Sequence, residues 1–265
     1  MKKSDTRQKY ILDKIFEHGF VSIADITKEL GVSDETVRRD INALAERNLL
    51  RKVRTGAETV RPSFRRDVDY IYRLHHNQKQ KKNIGLKAAQ MIKNNTVVGL
   101  DCGVSVQSIA ASISGVENVI FVTNSLPVAV ILLQKIQSSE ISGKLIFVGG
   151  EMDLQNRFSK GATSIDMIGR FHFDIAFVSC TAVASDGIFS YSLDECAYSS
   201  RLVANSHRTV LVAESDKLSK YSLYKFADFS DIDDLIVDDI VPIPHDLCTA
   251  ISNENVALVV VPDKD

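Results

Sequence analysis

The sequence predicts an α/β fold in two domains, a winged helix-turn-helix domain followed by a larger, mostly parallel α/β domain. Its 265 residues exceed one ordinary domain, and a hydrophobic content of 45% is enough for a sizeable core. Apolar residues recur at helical spacing near the N-terminus, whereas continuous apolar runs separated by helix-length segments follow from residue 97 onward. We expect domains at residues 1–60 and 83–265, joined by a charged, proline-containing linker at residues 61–82.

Charge is divided unevenly along the chain. Residues 1–82 contain 19 Lys and Arg against 12 Asp and Glu, and residues 83–265 contain 13 against 22. A basic N-terminal part and an acidic C-terminal part are typical of a nucleic-acid-binding module attached to a domain that does not contact nucleic acid.

Neither a metal site nor a disulfide framework is predicted. The pair His75-His76 has no acidic or cysteine partner at ligand spacing. The cysteines lack C-x-x-C spacing and are expected to be reduced thiols; they are Cys102, Cys180, Cys196 and Cys248. The N-terminus has no apolar signal segment, and no run approaches the roughly 18 apolar residues of a membrane span. We therefore expect a cytoplasmic protein that needs no cofactor and contacts no membrane.

Three helices are predicted in the first domain. The first runs from Asp5 to a stop at His18-Gly19. The second is capped by Ser22 and ends at Gly31, and the third begins at Ser33, whose hydroxyl can accept a backbone N–H of the first turn. Their apolar stripes consist of Tyr10, Ile11, Ile15 and Phe16, then Ile23, Ile26 and Leu30, then Val37, Ile41 and Leu44.

The third helix carries polar and basic residues off its apolar stripe, near its N-terminus. A recognition helix meets base edges and phosphates at this position. Two adjacent arginines on a helix are more often a solvated face, but the preceding helix pair and the charge asymmetry favour DNA contact. The expected DNA-binding residues of this helix are Ser33, Glu35, Thr36, Arg38 and Arg39.

A basic hairpin follows the third helix. Residues 49–60 form two extended arms around Thr55-Gly56, which is a hairpin signal. A basic hairpin directly after a helix-turn-helix is a wing, whose cations lie against phosphates or reach a minor groove. We expect Arg51, Lys52 and Arg54 to contact DNA.

These N-terminal residues resemble the signature of the DeoR family of bacterial transcriptional regulators. The resemblance lies in Arg7, Ile11 and Ile15, in the V-S-x-x-T-V-R-R-D run at 32–40, and in a wing that ends Thr-Gly-Ala. It covers nearly all of the first 57 residues. One departure is in the wing, where the family usually has His-Gly-Gly-Ala and this chain has residues 54–57 as Arg-Thr-Gly-Ala, so that backbone flexibility at the tip is reduced.

Seven apolar runs predict the strands of the second domain. Most are separated by helix-length segments such as 127–136 and 195–205, an alternation that indicates a mostly parallel sheet covered on both faces. In such sheets ligands bind at the carboxyl ends of the strands. The runs are 97–100, 119–122, 145–148, 175–178, 210–213, 235–237 and 256–261.

Small and polar residues follow the first three of these strands. Backbone N–H groups and hydroxyls at such turns suit an anion, although each turn alone is more often an ordinary tight turn. Three in succession favour a shared pocket for an anionic ligand, lined by Asp101, Gly103, Ser105, Thr123, Asn124, Ser125, Gly149 and Gly150. Asp186, Glu195 and Lys217 are candidate additional polar groups, and a solvated loop charge is the alternative for the two acids.

This region resembles the sensor domain of the same family, which is similar in fold to ribose-5-phosphate isomerase and binds phosphorylated sugars. The resemblance includes the three strand ends and extends to Gly161, Asp174, Gly187, Glu195 and Lys217. The family's Asp-x-Gly-Thr-Thr is here D-C-G-V-S at 101–105, residues 180–183 replace a Gly-containing loop, and Ser199 stands where the family often has Lys. Fewer hydroxyls and one fewer cation imply an altered ligand or weaker binding of a phosphosugar.

The resemblance implies a sequence-specific DNA-binding transcriptional regulator, a repressor of carbohydrate-metabolism genes controlled by a phosphorylated sugar or related metabolite. Its partner is then a double-stranded DNA operator, and we expect a homodimer or homotetramer because paired half-sites multiply affinity. The alternative is a sugar-phosphate isomerase-like enzyme with a fused DNA-binding module. Asp101, Glu195 and Lys217 supply residue types for isomerisation, but no segment reproduces a full acid–base loop, and we expect no catalysis. A third alternative, an architectural DNA binder that senses nothing, leaves the anion-type strand ends without a purpose.

Overall fold

The computed structural model describes residues 3–18, 20–47, 49–58 and 70–263 of the chain. These residues divide into two compact units, an N-terminal unit with the described residues up to Gln78 and a C-terminal unit with those from Lys79 onward. Each unit has its own hydrophobic core. None of the described helices is long and apolar enough to cross a bilayer.

Helices and a three-stranded antiparallel sheet form the N-terminal unit. In chain order its elements are α1 (Lys3–His18), β1 (Phe20–Ser22), α2 (Ile23–Leu30), α3 (Asp34–Glu46), β2 (Arg51–Val53), β3 (Gly56–Glu58) and α4 (Tyr70–His75). Strand β3 lies between β1 and β2, and the β2–β3 hairpin is the predicted wing. The apolar stripes of α1 to α3 meet in one core, which includes the fully buried Ile11, Ile15, Val37 and Leu44.

Capping residues set the helix ends where the sequence predicts them. Ser22 caps α2 by accepting the Asp25 N–H at 3.0 Å, and Ser33 caps α3 by accepting the Thr36 N–H at 3.3 Å. Gly31 ends α2 in the left-handed conformation, with φ of 62°. The predicted stop at Gly19, the wing end at Val60 and the side chain of Phe16 lie outside what the structure describes.

The region predicted as a linker is described from Tyr70 onward, and residues 61–69 lie outside the described part. Helix α4 and the beginning of the next helix occupy its second half. In α4, His75 Nδ1 lies 2.8 Å from the carbonyl oxygen of Ile71. The ring of His76 stacks on Tyr72, with ring centroids 5.2 Å apart. The two histidines thus bond to and pack on residues around α4.

A seven-stranded, entirely parallel sheet forms the centre of the C-terminal unit. The helices of this unit are α5 (Gln78–Ala89), α6 (Val104–Ser112), α7 (Leu126–Gln137), α8 (Ala162–Ile168), α9 (Leu193–Ala204) and α10 (His245–Asn253). Its strands are β4 (Val97–Leu100), β5 (Val119–Thr123), β6 (Gly143–Phe147), β7 (Glu151–Asp153), β8 (Phe158–Lys160), β9 (Ile175–Ser179), β10 (Ala182–Ala184), β11 (Gly187–Ser190), β12 (Thr209–Ala213), β13 (Tyr224–Ala227), β14 (Asp234–Asp238) and β15 (Ala257–Val261). The strand order of the parallel sheet is β15-β14-β12-β9-β4-β5-β6.

Both faces of this sheet are buried. Alternate residues of a strand point to opposite faces, so Val210 and Val212 of β12 pack with α5, α6 and α7, while Leu211 and Ala213 pack with α8, α9 and α10. All seven predicted runs coincide with strands of this sheet, which confirms the predicted α/β class. Two small antiparallel sheets, β7–β8 and β10–β11–β13, have no counterpart among the apolar runs.

Candidate functional site

Helix α3 has one buried and one exposed face. Val37, Ile41 and Leu44 are at most 1% exposed and lie in the core. At 3.6 residues per turn the opposite face carries four exposed side chains, which are Glu35, Arg38, Arg39 and Asn42. Neither arginine forms an ion pair or hydrogen bond within the described part of the chain. The predicted basic face is therefore open to a partner.

The two hydroxyls predicted to contact DNA bond to each other. Ser33 Oγ lies 2.9 Å from Thr36 Oγ1 and also caps the helix. Asp34, the first residue of α3, accepts a hydrogen bond from Thr27 Oγ1 of α2 at 2.9 Å. These bonds fix the turn between α2 and α3 and hold the N-terminus of α3 in place.

The three predicted cations of the wing differ in their partners. Arg51 forms an ion pair with Glu58 across the hairpin. Lys52 Nζ donates to Asn42 Oδ1 at 2.7 Å, which ties the wing to α3. Arg54 is exposed at the hairpin turn and has no partner among the described residues.

Asp40, within the R-R-D part of the signature, anchors α3 to α1. It is 3% exposed, Arg7 Nε donates to its Oδ2, and Gln8 Nε2 donates to its Oδ1 at 3.3 Å. A buried carboxylate needs a paired cation and hydrogen bonds. Arg7 and Asp40 therefore fix the position of the exposed face of α3 instead of belonging to that face.

In the C-terminal unit, Asp101 follows β4 and is 2% exposed. Its two carboxylate oxygens accept from the Cys102 N–H and from Ser199 Oγ, each at 2.8 Å. Burial raises the pKa of Asp101, and these two donors oppose that rise. Glycine at position 103, the N-cap of α6, leaves room for the side chain of Ser179, because a Cβ there would lie 1.9 Å from Ser179 Oγ.

Glu214, directly after β12, joins three polar side chains into a buried cluster. Lys81 Nζ of α5 lies 2.9 Å from Oε1, Lys217 Nζ lies 2.6 Å from Oε2, and Ser105 Oγ of α6 donates to Oε1 at 2.8 Å. Lys81 and Glu214 are almost fully buried, whereas 22% of the Lys217 side chain is exposed. We call these four residues the Glu214 cluster.

The charges of the Glu214 cluster stabilise one another. Burial alone would raise the pKa of Glu214, but Lys217 and Lys81 hold that pKa well below its ordinary value. Burial lowers the pKa of Lys81 in spite of Glu214. Burial opposes the charge of Lys217 as well, but Glu214 raises the Lys217 pKa above its ordinary value. Two lysines share the carboxylate of Glu214, and the nearby carboxylate of Asp216 also raises the pKa of both lysines.

The predicted residues at the ends of β5 and β6 form hydrogen bonds within their own turn or with a neighbouring segment. Thr123 Oγ1 accepts the Ser125 N–H at 3.0 Å, and Asn124 Nδ2 donates to the Ser159 carbonyl at 2.9 Å. All three of Thr123, Asn124 and Ser125 are buried. Gly149 and Gly150 precede β7, and the Gly149 carbonyl accepts from Ser164 Oγ at 2.7 Å.

Asp186 and Glu195 bond to residues outside the Glu214 cluster. Asp186 is exposed between β10 and β11, and Tyr221 donates a hydrogen bond to it. Glu195 Oε2 accepts from Ser190 Oγ at 2.8 Å. Within the described residues, no group of three or more His, Cys, Asp and Glu is arranged to hold a metal ion.

Three functional candidates are absent from the sequence prediction, namely Lys81, Ser199 as a partner of Asp101, and Glu214. Glu214 follows a predicted strand directly, so the rule that selects Asp101 also applies to it. Lys81 falls in the predicted linker, and a lysine in a basic segment gives no local sign of burial. Only the fold brings it to the carboxyl end of β12.

Two family models match this chain and together span most of it. The model described as the DeoR-like helix-turn-helix domain matches residues 7–63, and the model described as the DeoR C terminal sensor domain matches residues 76–239. The first match contains α3 and the wing, and the second contains Asp101 and the whole Glu214 cluster.

Two proteins of similar sequence are named as repressors. The chain is 28% identical over 239 residues to a glycerol-3-phosphate regulon repressor of Haemophilus influenzae, covering 90% of this chain and 91% of that protein. It is also 28% identical to the transcriptional repressor GlcR of Bacillus subtilis, covering 86% of each chain. Among solved structures, ribose 5-phosphate isomerase A of Methanocaldococcus jannaschii superposes with a TM-score of 0.38 and 15% identity, over 54% of this chain and 55% of that chain.

Proposed function

The chain belongs to the DeoR family of transcriptional regulators. We propose that it represses carbohydrate-metabolism genes and that a phosphorylated sugar or related metabolite releases it from its operator. The observation that carries this proposal is the pairing in one chain of an open basic helix face with a buried cluster of two lysines around Glu214, of which Lys217 is partly exposed. The names of the relatives, a glycerol-3-phosphate regulon repressor and the repressor GlcR, agree with it.

The DNA end of the proposal rests on the unpaired cations. Arg38 and Arg39 on α3 and Arg54 at the wing tip form no intramolecular bond within the described residues, so phosphates and base edges can engage them without breaking ion pairs. Arg51 and Lys52 already have partners, and they act through the position of the wing. A single module reads few bases, so we propose that two or four copies bind paired half-sites.

The effector end rests on the Glu214 cluster. Lys217 pairs with Glu214 and is partly exposed, so an anion that enters can also contact its ammonium group. A phosphate placed there gains charge-assisted hydrogen bonds from Lys217 and draws it away from Glu214. Glu214 then interacts more strongly with Lys81, at the beginning of the C-terminal unit. A ligand shifts the equilibrium between DNA-binding and released states only if it binds those states with different affinity.

We further propose that the chain is cytoplasmic and catalyses no reaction. Asp101 is a carboxylate of the kind that could act as the base of an isomerase, but it is buried and accepts hydrogen bonds from Ser199 and Cys102. A general base must lie within hydrogen-bond reach of the proton that it removes. Turnover of ribose 5-phosphate by the purified protein would overturn this part of the proposal.

The first test is DNA binding by the purified full-length protein. We expect preferential binding to the DNA upstream of its own gene over random duplex, with an affinity that falls steeply as salt rises, because each neutralised phosphate releases counterions. Arg54→Gln should weaken binding and reduce the salt dependence more than Arg51→Gln, whose side chain is already paired. No preference over random duplex at moderate salt would refute operator binding.

The second test is a thermal-shift panel of sugar phosphates. We expect at least one to raise the melting temperature of the wild type, since a ligand that binds only the folded state stabilises it. Lys217→Met should abolish the shift, whereas Lys225→Met, which removes a more exposed lysine paired with Asp228, should retain it. A shift that survives Lys217→Met would place the effector elsewhere.

A further inference from the structure

We infer that Glu35 selects cytosine at one position of each operator half-site. The inference rests on the proposed function, because it assigns chemistry to the face of α3 that would enter the major groove. Glu35 lies at the N-terminal end of α3, where the unpaired charges one turn away, Arg38 and Arg39, are positive.

Glu35 is the unengaged acceptor of the first turn of α3. Asp34 accepts from Thr27, and the hydroxyls of Ser33 and Thr36 bond to each other. Farther along the same face, Asn42 Oδ1 accepts from Lys52. Glu35 is exposed and forms no hydrogen bond or ion pair with any described residue, although Arg38 and Arg39 lie one turn away.

A carboxylate on a DNA-binding face weakens binding unless a base donates a hydrogen bond to it. Phosphates repel it, so it weakens binding to every sequence that offers no donor. The donors at the base edges of the major groove are the amino groups of cytosine N4 and adenine N6. Adenine has the acceptor N7 beside its N6 amino group, and N7 would repel the second carboxylate oxygen. Cytosine has no acceptor beside its N4 amino group on the same base. The carboxylate therefore favours cytosine.

A second role for Glu35 is purely structural. An acidic residue in the first turn interacts favourably with the helix dipole. Such a role changes the stability of α3 and leaves the preference among bases unaltered. Base preference is thus the measurement that separates the two roles.

The test selects binding sites for the full-length protein from a random-sequence duplex library. It compares the wild type with Glu35→Ala, Glu35→Gln and a matched control, Glu46→Gln. Glu46 is exposed in the last turn of α3, about three turns from the N-terminal end that carries Glu35, so its substitution removes an equal charge away from the bases. The thermal unfolding of each variant shows that it is folded.

We expect the wild type to enrich cytosine at one position per half-site. Glu35→Ala should lose discrimination at that position, on the order of tenfold, and keep it elsewhere. Glu35→Gln should shift the preference toward adenine, because an amide offers both a donor to N7 and an acceptor to N6. Glu46→Gln should keep the wild-type site.

An unchanged base preference in Glu35→Ala, or a change of affinity that is equal for all sequences, would overturn the inference and leave the proposed function standing. A wild-type protein that enriches no sequence would overturn the proposed function, and the inference with it.

Discussion

Arg7 and Arg38 carry the same charged group in environments that give them opposite roles. Arg7 bonds to Asp40, whose side chain is 5% exposed, and so joins α1 to α3. Arg38 is exposed and has no partner among the described residues. The loss of one partner of a buried ion pair leaves an uncompensated charge, whereas an exposed cation remains available to a phosphate or a base. The spacing of the signature shows that both arginines belong to it, but only the fold separates these roles.

Arg7→Gln is expected to lower the free energy of unfolding of the N-terminal unit by about 2 kcal/mol, because Asp40 then keeps its buried charge without a cation. Hydrogen exchange of the α1 and α3 amides in the full-length protein measures this loss. Arg38→Gln is the matched control, with unchanged exchange and weaker operator binding. Equal protection of these amides in the two variants would contradict the anchoring role of Arg7.

The buried Asp101 should make the C-terminal unit sensitive to pH. Burial raises the pKa of Asp101 above its ordinary value of 3.8. A carboxyl whose pKa is raised in the folded state destabilises the fold above that pKa, and the penalty disappears as pH falls below the unfolded value.

Asp101→Asn should therefore raise the free energy of unfolding of the C-terminal unit at pH 7. The difference from the wild type should shrink as pH is lowered toward 3.8, since the wild-type carboxyl then binds its proton. Urea unfolding at a series of pH values measures the difference. A difference that grows on acidification would show that the ionised form of Asp101 stabilises the fold.

The length and burial of a strand decide whether the sequence predicts it. The run at 175–178 is apolar because β9 is buried on both faces, and it predicts the strand Ile175–Ser179 almost to the residue. Strand β10 has three residues, and it exists because β11 pairs with it. A pattern as short as β10 has no period to detect.

The candidate effector site was only partly predictable for a related reason. The rule that ligands bind at the carboxyl ends of strands selects Asp101, but it also selects the fully buried Thr123 and Asn124. Thr123 Oγ1 accepts from its own turn, and Asn124 Nδ2 donates to the carbonyl oxygen of Ser159. Position at a strand end does not reveal which way a side chain turns. Lys81 reaches Glu214 across most of the C-terminal unit's sequence, and no local pattern encodes that pairing.

The wing depends on glycine at position 56. A Cβ there would lie 1.9 Å from the carbonyl oxygen of Val21, in the strand that pairs with β3. Thr55, which replaces the first of the family's two glycines, is exposed at the turn and places no side chain in the sheet.

Gly56→Ala should destabilise the N-terminal unit by about 1–3 kcal/mol or more, because β1 and β3 must separate to admit the methyl group. Operator affinity should fall together with it, since the wing loses its position. Thr55→Ala is the control, with stability and affinity near those of the wild type. Hydrogen exchange of the β3 amides measures the first effect and fluorescence anisotropy the second; retention of both in Gly56→Ala would contradict the packing argument.

The two compact units of the chain contain two kinds of binding residue. The free cations lie in the N-terminal unit and the Glu214 cluster in the C-terminal unit, which begins only shortly before Lys81. Effector control requires one equilibrium that both ligands bias, because a ligand acts at a distance only through its differential affinity for two states of the chain. This requirement gives a quantitative test that needs no knowledge of the path between the sites.

The effector and the operator should weaken each other's binding by the same factor. Coupling free energies are typically 1–3 kcal/mol, which corresponds to about 5- to 150-fold in affinity. Anisotropy with labelled operator, at zero and saturating sugar phosphate, measures one factor, and calorimetry of the sugar phosphate with free and operator-bound protein measures the other. An operator affinity that the bound sugar phosphate leaves unchanged would contradict effector control, because linkage then also forbids the operator from altering effector affinity. If each ligand raises the dissociation constant of the other by the same factor, the ligand of the Glu214 cluster is an inducer. If each lowers it by the same factor, the ligand is a corepressor.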